Sequence, residues 1–417
     1  MPNELSGIVE FAGASTDRLV LTPIESLHQA IASRVFGALG PLGRPARFVH
    51  DGVAAAIYGG VRRVAQGVTA ASAAGVRLAT GDEMDMLSAT RRGRSTLSAL
   101  NALAGDVLDS DDNALAIQMA VRSHGGDLSL SRRAIRGAFP GATSRLAVFL
   151  HGLGESEDSW LRSSQRDEGS PRRPFGERLQ RDLGFTPVYV RYNSGLHISD
   201  SGRRLSDLLE RLVERWPVAP AEVLLVGHSM GGLVARSACH TGRLTSRRWP
   251  SLTRHLVTLG TPHTGVPLEK LVHAAAWLLR AVPESRPLAN ILDLRSAGIR
   301  DLRFGYVVED DWRFEDPERL FHDRRTDVEP LPGCSYTFIA ASVTRDSRHP
   351  LSWIGGDLLV RTESAAGRRV DGSTAVSADS VIHLGAMTHF DLLDHPLVYE
   401  HVRNALSPRN QEALEGA

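Results

Sequence analysis

A chain of 417 residues, 42% of them hydrophobic, is long enough for a full catalytic domain and an accessory segment. Its 48 basic and 48 acidic residues cancel, so the chain lacks the basic footprint of a nucleic-acid binder. Two cysteines, Cys239 and Cys334, give no disulfide framework, and no run is apolar enough to span a bilayer. The opening MPNELSGIVEFAG has no basic region followed by an apolar core, so no secretory signal is read there and a cytoplasmic protein is expected. Lys270 is the sole lysine, a bias attributed to genome composition rather than to chemistry.

Residues 1–95 are expected to form a helical segment. Val49, Val53, Ile57, Val61, Val64 and Val68 recur every three to four residues, which places them on one helix face. The acidic run Asp109 to Asp112 reads as an exposed turn in the boundary region. A catalytic domain is expected over 96–410. There the pattern turns to short apolar runs: Ile117, Met119 and Val121 alternate before a turn at His124–Asp127, and then come Leu146–Leu150, Thr186–Tyr192, Val223–Val226, His255–Leu259, Tyr336–Ala340 and Ser380–Leu384. A helix is predicted over Arg203–Arg215, and another closes the chain after Pro396. Strands alternating with helices imply α/β architecture, a mostly parallel sheet covered on both faces. Residues 264–335 exceed a simple crossover. Leu271, Ala275, Leu278 and Leu279, with Trp277 beside them, predict a helix in a cap or lid insertion.

Directly after VLLV stands Gly227-His228-Ser229-Met230-Gly231-Gly232, followed by the helix-like LVARSACHTGR. This is G-x-S-x-G in the strand, turn, helix context that a nucleophilic serine needs. The glycines let the chain turn sharply enough to lift the hydroxyl off the sheet. The helix that begins there aims its N–H groups and positive dipole end at the site. Upstream, Leu146–Leu150 runs into His151-Gly152-Leu153-Gly154, a loop whose backbone can face the serine. The expected oxyanion donors are the amides of Leu153 and Met230. His151 and His228 are read as structural, the first bonded to loop backbone and the second packed. The expected base is His389, between the last strand and the last helix, with His383 and His395 as competitors. The expected acid is Asp357, after Gly355 and Gly356, with Asp346 and Asp371 as alternatives.

The stretches FLHGLGES, LLVGHSMGGLVARSA, VTLGTPHTG, GGDLLVRTESA and THFDLL resemble the lipase and esterase branch of the α/β-hydrolases, which includes bacterial triacylglycerol lipases and PGAP1-like hydrolases. The resemblance spans most of residues 145–400. It implies the α/β-hydrolase fold and hydrolysis of a carboxylic ester or lipid-like substrate without a cofactor. No cysteine, histidine or carboxylate spacing in the sequence reads as a metal site. An acyltransferase or thioesterase would use the same three residues, and a binding protein on an inactive scaffold is the reading from another class. Oligomeric state is not readable from the sequence.

Overall fold

A computed structural model describes residues 88–161, 173–266, 295–313, 325–345, 356–357, 359–369 and 371–407, with eight isolated positions nearer the N-terminus. The Val49–Val68 stripe, the helix expected around Trp277 and Asp346 lie outside the described residues.

The chain first forms helix α1 (Arg91–Ser110), then strands β1 (Ala120–Ser123) and β2 (Gly126–Asp127), helix α2 (Arg132–Ala138), β3 (Arg145–Leu150), α3 (Phe175–Leu183) and β4 (Thr186–Arg191). It continues with α4 (Ile198–Arg215), β5 (Glu222–His228), α5 (Met230–Leu244), β6 (Thr253–Leu259), β7 (Ser335–Ser342), β8 (Ser380–Gly385) and α6 (Pro396–Ala405). The eight strands form one sheet in the order β2-β1-β4-β3-β5-β6-β7-β8. Pairs from β4 to β8 are parallel; β1 is antiparallel to both of its neighbours. The β1–β2 turn places His124 at φ 50° and Gly125 at φ 78°, the two left-handed positions of a tight hairpin.

The near-continuous apolar character of β3 follows from cover on both faces. Leu146, Val148 and Leu150 pack with Leu205, Leu209 and Leu212 of α4 and Leu233 and Val234 of α5. Ala147 and Phe149 point the other way, into a second core with Phe175 and Leu179 of α3 and Val398 and Val402 of α6. Alternate residues of one strand thus feed two separate cores, as the pleat requires.

Helix α1 docks on this body. Arg94 makes two hydrogen bonds to Asp158, at 2.8 and 3.2 Å. The Asn193 amide donates to the Gly105 carbonyl at 2.9 Å, at a point where a Cβ on Gly105 would run into the Asn193 side chain. The boundary expected at 95/96 therefore falls inside a helix whose two ends both serve the sheet domain. The strand expected around Ile117 begins later, at Ala120, because the Ile117 amide is taken by Asn101 Oδ1 at 2.9 Å.

Candidate active site

Strand β5 ends at His228 and α5 begins at Met230, so Ser229 alone makes the turn. It sits at φ 52° and ψ −125°, a left-handed conformation that an L side chain rarely adopts and that costs about 1–3 kcal/mol. Its surroundings over-determine that conformation. The Ser229 amide donates to the Leu259 carbonyl at 2.8 Å, and the Ser229 carbonyl accepts from Thr261 Oγ1 at 2.9 Å and the Gly232 amide at 3.1 Å. A Cβ on Gly227 would strike the Gly232 backbone, and one on Gly231 would strike the carbonyls of Leu150 and His151. The glycines of the motif are thus required by backbone approach. Ser229 itself stays half-buried at the end of the strand.

The loop after β3 passes directly against this turn: a Cβ built on Gly152 would stand 3.0 Å from Ser229 Cβ. His151 is bonded into the backbone, with Nδ1 2.9 Å from the Gly152 carbonyl and Nε2 accepting from the Tyr192 amide at 3.2 Å. The Gly152 amide donates to Glu155 Oε2 at 2.9 Å, and the Gly154 amide to Ser194 Oγ at 3.1 Å. Between these anchored neighbours the Leu153 amide donates no hydrogen bond among the described residues. Met230, the other expected donor, is the first residue of α5, where helix amides have no partner within the helix.

At the end of β8 the chain enters a turn that carries His389. Its Nδ1 lies 2.7 Å from Asp357 Oδ2, and its amide donates to the Asp357 carbonyl at 3.0 Å. Asp357 is 1% exposed and His389 3%, so this contact is shielded from water. The other carboxylate oxygen accepts from the amides of Leu359 at 3.1 Å and Val360 at 2.8 Å, which fixes the carboxylate plane. Gly260 makes room for the ring, since a Cβ there would meet His389 Cε1 and Nδ1 at 3.0 Å. The Leu259–Gly260–Thr261 segment therefore touches Ser229 on one side and His389 on the other. The competing residues are engaged elsewhere. His383 Nε2 is 2.9 Å from Ser342 Oγ, His395 caps α6, and Asp371 accepts from Ser373 in an exposed turn.

His228 does more than the packing expected of it. Its Nδ1 is 3.1 Å from Glu155 Oε2 and its Nε2 is 3.1 Å from the His389 carbonyl. Burial alone would push the His228 pKa down, but the Glu155 carboxylate and the His389 carbonyl outweigh it and the net direction is up. Burial pushes the Glu155 carboxyl up; the charge and hydrogen bond of His228 and the Gly152 amide overcome it and bring the value to about 2. One buried ion pair thus ties the loop after β3 to the turn that carries His389. Sequence reading missed it because the partners are 73 residues apart. A cavity of about 300 Å³ opens beside this loop, lined by Leu153, Gly154, Ser156, Phe390 and, from α1, Arg91 and Ser95. Among the described residues no group of three histidines, cysteines or carboxylates could hold a metal ion, and no helix is long and apolar enough to cross a membrane.

Residues 192–325, about a third of the chain, match the PGAP1-like alpha/beta domain family. No curated protein matches the chain. Several solved structures resemble it remotely. The mature form of Bacillus licheniformis lipase BlEst2 is 19% identical, over 63% of this chain and 92% of that one, with a TM-score of 0.39. The hyperthermophilic esterase of Pyrobaculum calidifontis is 15% identical, over 80% of this chain and 93% of that one, with a TM-score of 0.38. A thermophilic esterase from Thermogutta terrifontis is 14% identical, over 65% and 91%, with a TM-score of 0.35. The sheet order and the strand-turn-helix elbow at Ser229, with the PGAP1-like alpha/beta domain match over 192–325, give this chain the α/β-hydrolase fold.

Proposed function

We propose that the protein is a serine hydrolase that cleaves carboxylic esters, with Ser229 as nucleophile, His389 as base and Asp357 as the orienting acid. The observation that carries the reading is the buried 2.7 Å contact between His389 Nδ1 and Asp357 Oδ2, made where the β6 terminus also holds Ser229. A carboxylate accepting at Nδ1 keeps the proton on that nitrogen and leaves Nε2 as the basic atom. His389 takes the Ser229 hydroxyl proton as Oγ adds to the ester carbonyl. The tetrahedral intermediate then collapses, the C–O bond to the alcohol breaks, and the imidazolium returns its proton to the leaving alkoxide. Water attacks the acyl-enzyme by the same route. The amides of Leu153 and Met230 donate to the oxyanion, and each such donor is worth about 10²–10³ in rate. The strained Ser229 turn and the anchored loop after β3 hold these groups in place before substrate binds.

The substrate is an ester or lipid-like small molecule, and the cavity between α1 and Phe390 is the proposed place for its acyl or alcohol part. Labelling with a fluorophosphonate probe, followed by peptide mass spectrometry, tests the assignment. The phosphonyl group is expected on Ser229; labelling of another residue, or none, would overturn it.

A further inference from the structure

Two turns beyond Ser229, helix α5 carries Arg236. Its side chain is 5% exposed, yet its one hydrogen bond among the described residues is a long contact from Nη1 to His263 Nδ1 at 3.4 Å. A guanidinium has five N–H donors, and the nearby buried carboxylate of Asp311, whose charge acts on Arg236, is hydrogen-bonded to backbone amides rather than to it. Burial pushes the Arg236 pKa down to about 10, with the Arg325 charge adding to it and the Asp311 charge opposing it, so the group is still a cation at neutral pH. His263 supplies no charge in return. It is fully buried, and that burial, with Arg236 and Arg325 beside it, holds its imidazole well below the usual histidine range.

Arg236 lines a cavity of about 300 Å³ together with Arg325, Thr326 and Arg369. Arg325 Nη1 donates to the His263 carbonyl at 3.1 Å, so two guanidinium groups grip the same histidine, one at its ring and one at its backbone. The walls are built rather than incidental. The buried Asp311 carboxylate accepts from the amides of Val307 at 2.9 Å, Val308 at 3.1 Å and Thr326 at 2.7 Å, which joins the two wall segments. Two further carboxylates, Asp327 and Glu329, stand exposed at the rim, and Glu329 is held by Arg243 at 2.6 Å. Arg236 is therefore short of hydrogen-bond acceptors where it lines the cavity, and of the nearby carboxylates Asp327 and Glu329 face water while Asp311 is taken up by backbone amides.

We infer that this cavity is a binding site for a small oxyanion, with Arg236 as its buried ligand and Arg325 as the second arm. The Thr261–His263 segment separates it from Ser229, so the site does not depend on the hydrolase reading. A free phosphate and the phosphate head of a larger ligand offer the same oxygens to the two guanidinium groups.

Calorimetric titration of the full chain with inorganic phosphate, and separately with glycerol 3-phosphate, tests the inference at an ionic strength fixed with chloride. Saturable one-site binding is expected for the wild type and for Ser229→Ala alike. Tighter binding of glycerol 3-phosphate would identify an esterified head group as the better occupant, and equal binding would identify the free ion. Arg236→Met should weaken binding at least tenfold and Arg236→Lys less. Phosphate should raise the Tm of the wild type and leave that of Arg236→Met unmoved. Arg325→Gln, at the partly exposed wall, repeats the test should Arg236→Met fail to fold. Absence of binding to the wild type, or equal binding by folded Arg236→Met or Arg325→Gln, would overturn the proposal.

Discussion

Glu155 and His228 form a buried ion pair, Oε2 to Nδ1 at 3.1 Å, beneath the proposed reaction centre. The same carboxylate oxygen accepts the Gly152 amide, and the far side of the same imidazole reaches the His389 carbonyl. Removing one partner strands a buried charge, which typically costs about 3–5 kcal/mol. Glu155→Gln should therefore lower the unfolding free energy by about 3 kcal/mol, read from urea denaturation. A change below about 0.5 kcal/mol, the scale of an exposed ion pair, would show that the pair contributes no more than a surface contact.

The pair also sets a direction for stability against pH. The Glu155 pKa is lowered from 4.5 to about 2 in the folded chain, so its contribution is present above the unfolded value and is lost as pH falls towards 2. The His228 pKa is raised above 6.5, so its contribution is complete below that value and is lost as pH rises through the folded value. Both terms are present together between about pH 4.5 and 6.5. The wild type should lose stability on either side of that window. A His228→Gln variant should lose less of it on the alkaline side. Parallel pH–stability curves for the two proteins above pH 6.5 would contradict the raised value.

The acid is tested by amides of the three aspartates. Asp357→Asn turns an acceptor of the Nδ1 proton into a donor and favours the wrong tautomer, which should lower kcat by about 10⁴ with folding retained. Asp346→Asn and Asp371→Asn should stay near wild type, since Asp371 serves an exposed turn. Severe loss in either of these, with Asp357→Asn active, would move the acid to that residue.

Gly231→Ala probes the close approach at the elbow. The added methyl would meet the Leu150 and His151 carbonyls, so backbone has to shift on both sides of the site. A cost of about 1–3 kcal/mol or more is expected, with activity falling further than stability because the Met230 amide and the loop after β3 move apart. An active, equally stable variant would show that this contact is loose.

Much of this arrangement was legible in the sequence because local chemistry determines it. The apolar runs located β3 to β8; β4 stops one residue short of its run, at Arg191, while the other strands extend a residue or two further, as where Arg145 and Glu222 pair at 2.6 Å across β3 and β5. Gly227 announced a crowd that the elbow creates by itself against the Gly231–Gly232 backbone, whereas Gly231 is crowded by the Leu150 and His151 carbonyls of a distant segment. What stayed hidden depends on residues distant in sequence. Nothing near Glu155 indicates that His228 will face it, and nothing near Arg236 indicates that it will be buried with a long contact to His263 as its one hydrogen bond among the described residues. The docking of α1 was hidden for the same reason, since Asn193 and Gly105 meet only after the sheet has formed.

The central claim is that Ser229 is the attacking group, and the most direct measurement is the turnover of a p-nitrophenyl ester by purified wild type and Ser229→Ala, with folding of both checked by circular dichroism. The wild type should hydrolyse a short-chain ester, and the variant should lose about 10⁶ in kcat, the usual cost of deleting such a nucleophile. A folded Ser229→Ala protein that turns over the ester at the wild-type rate would contradict the claim.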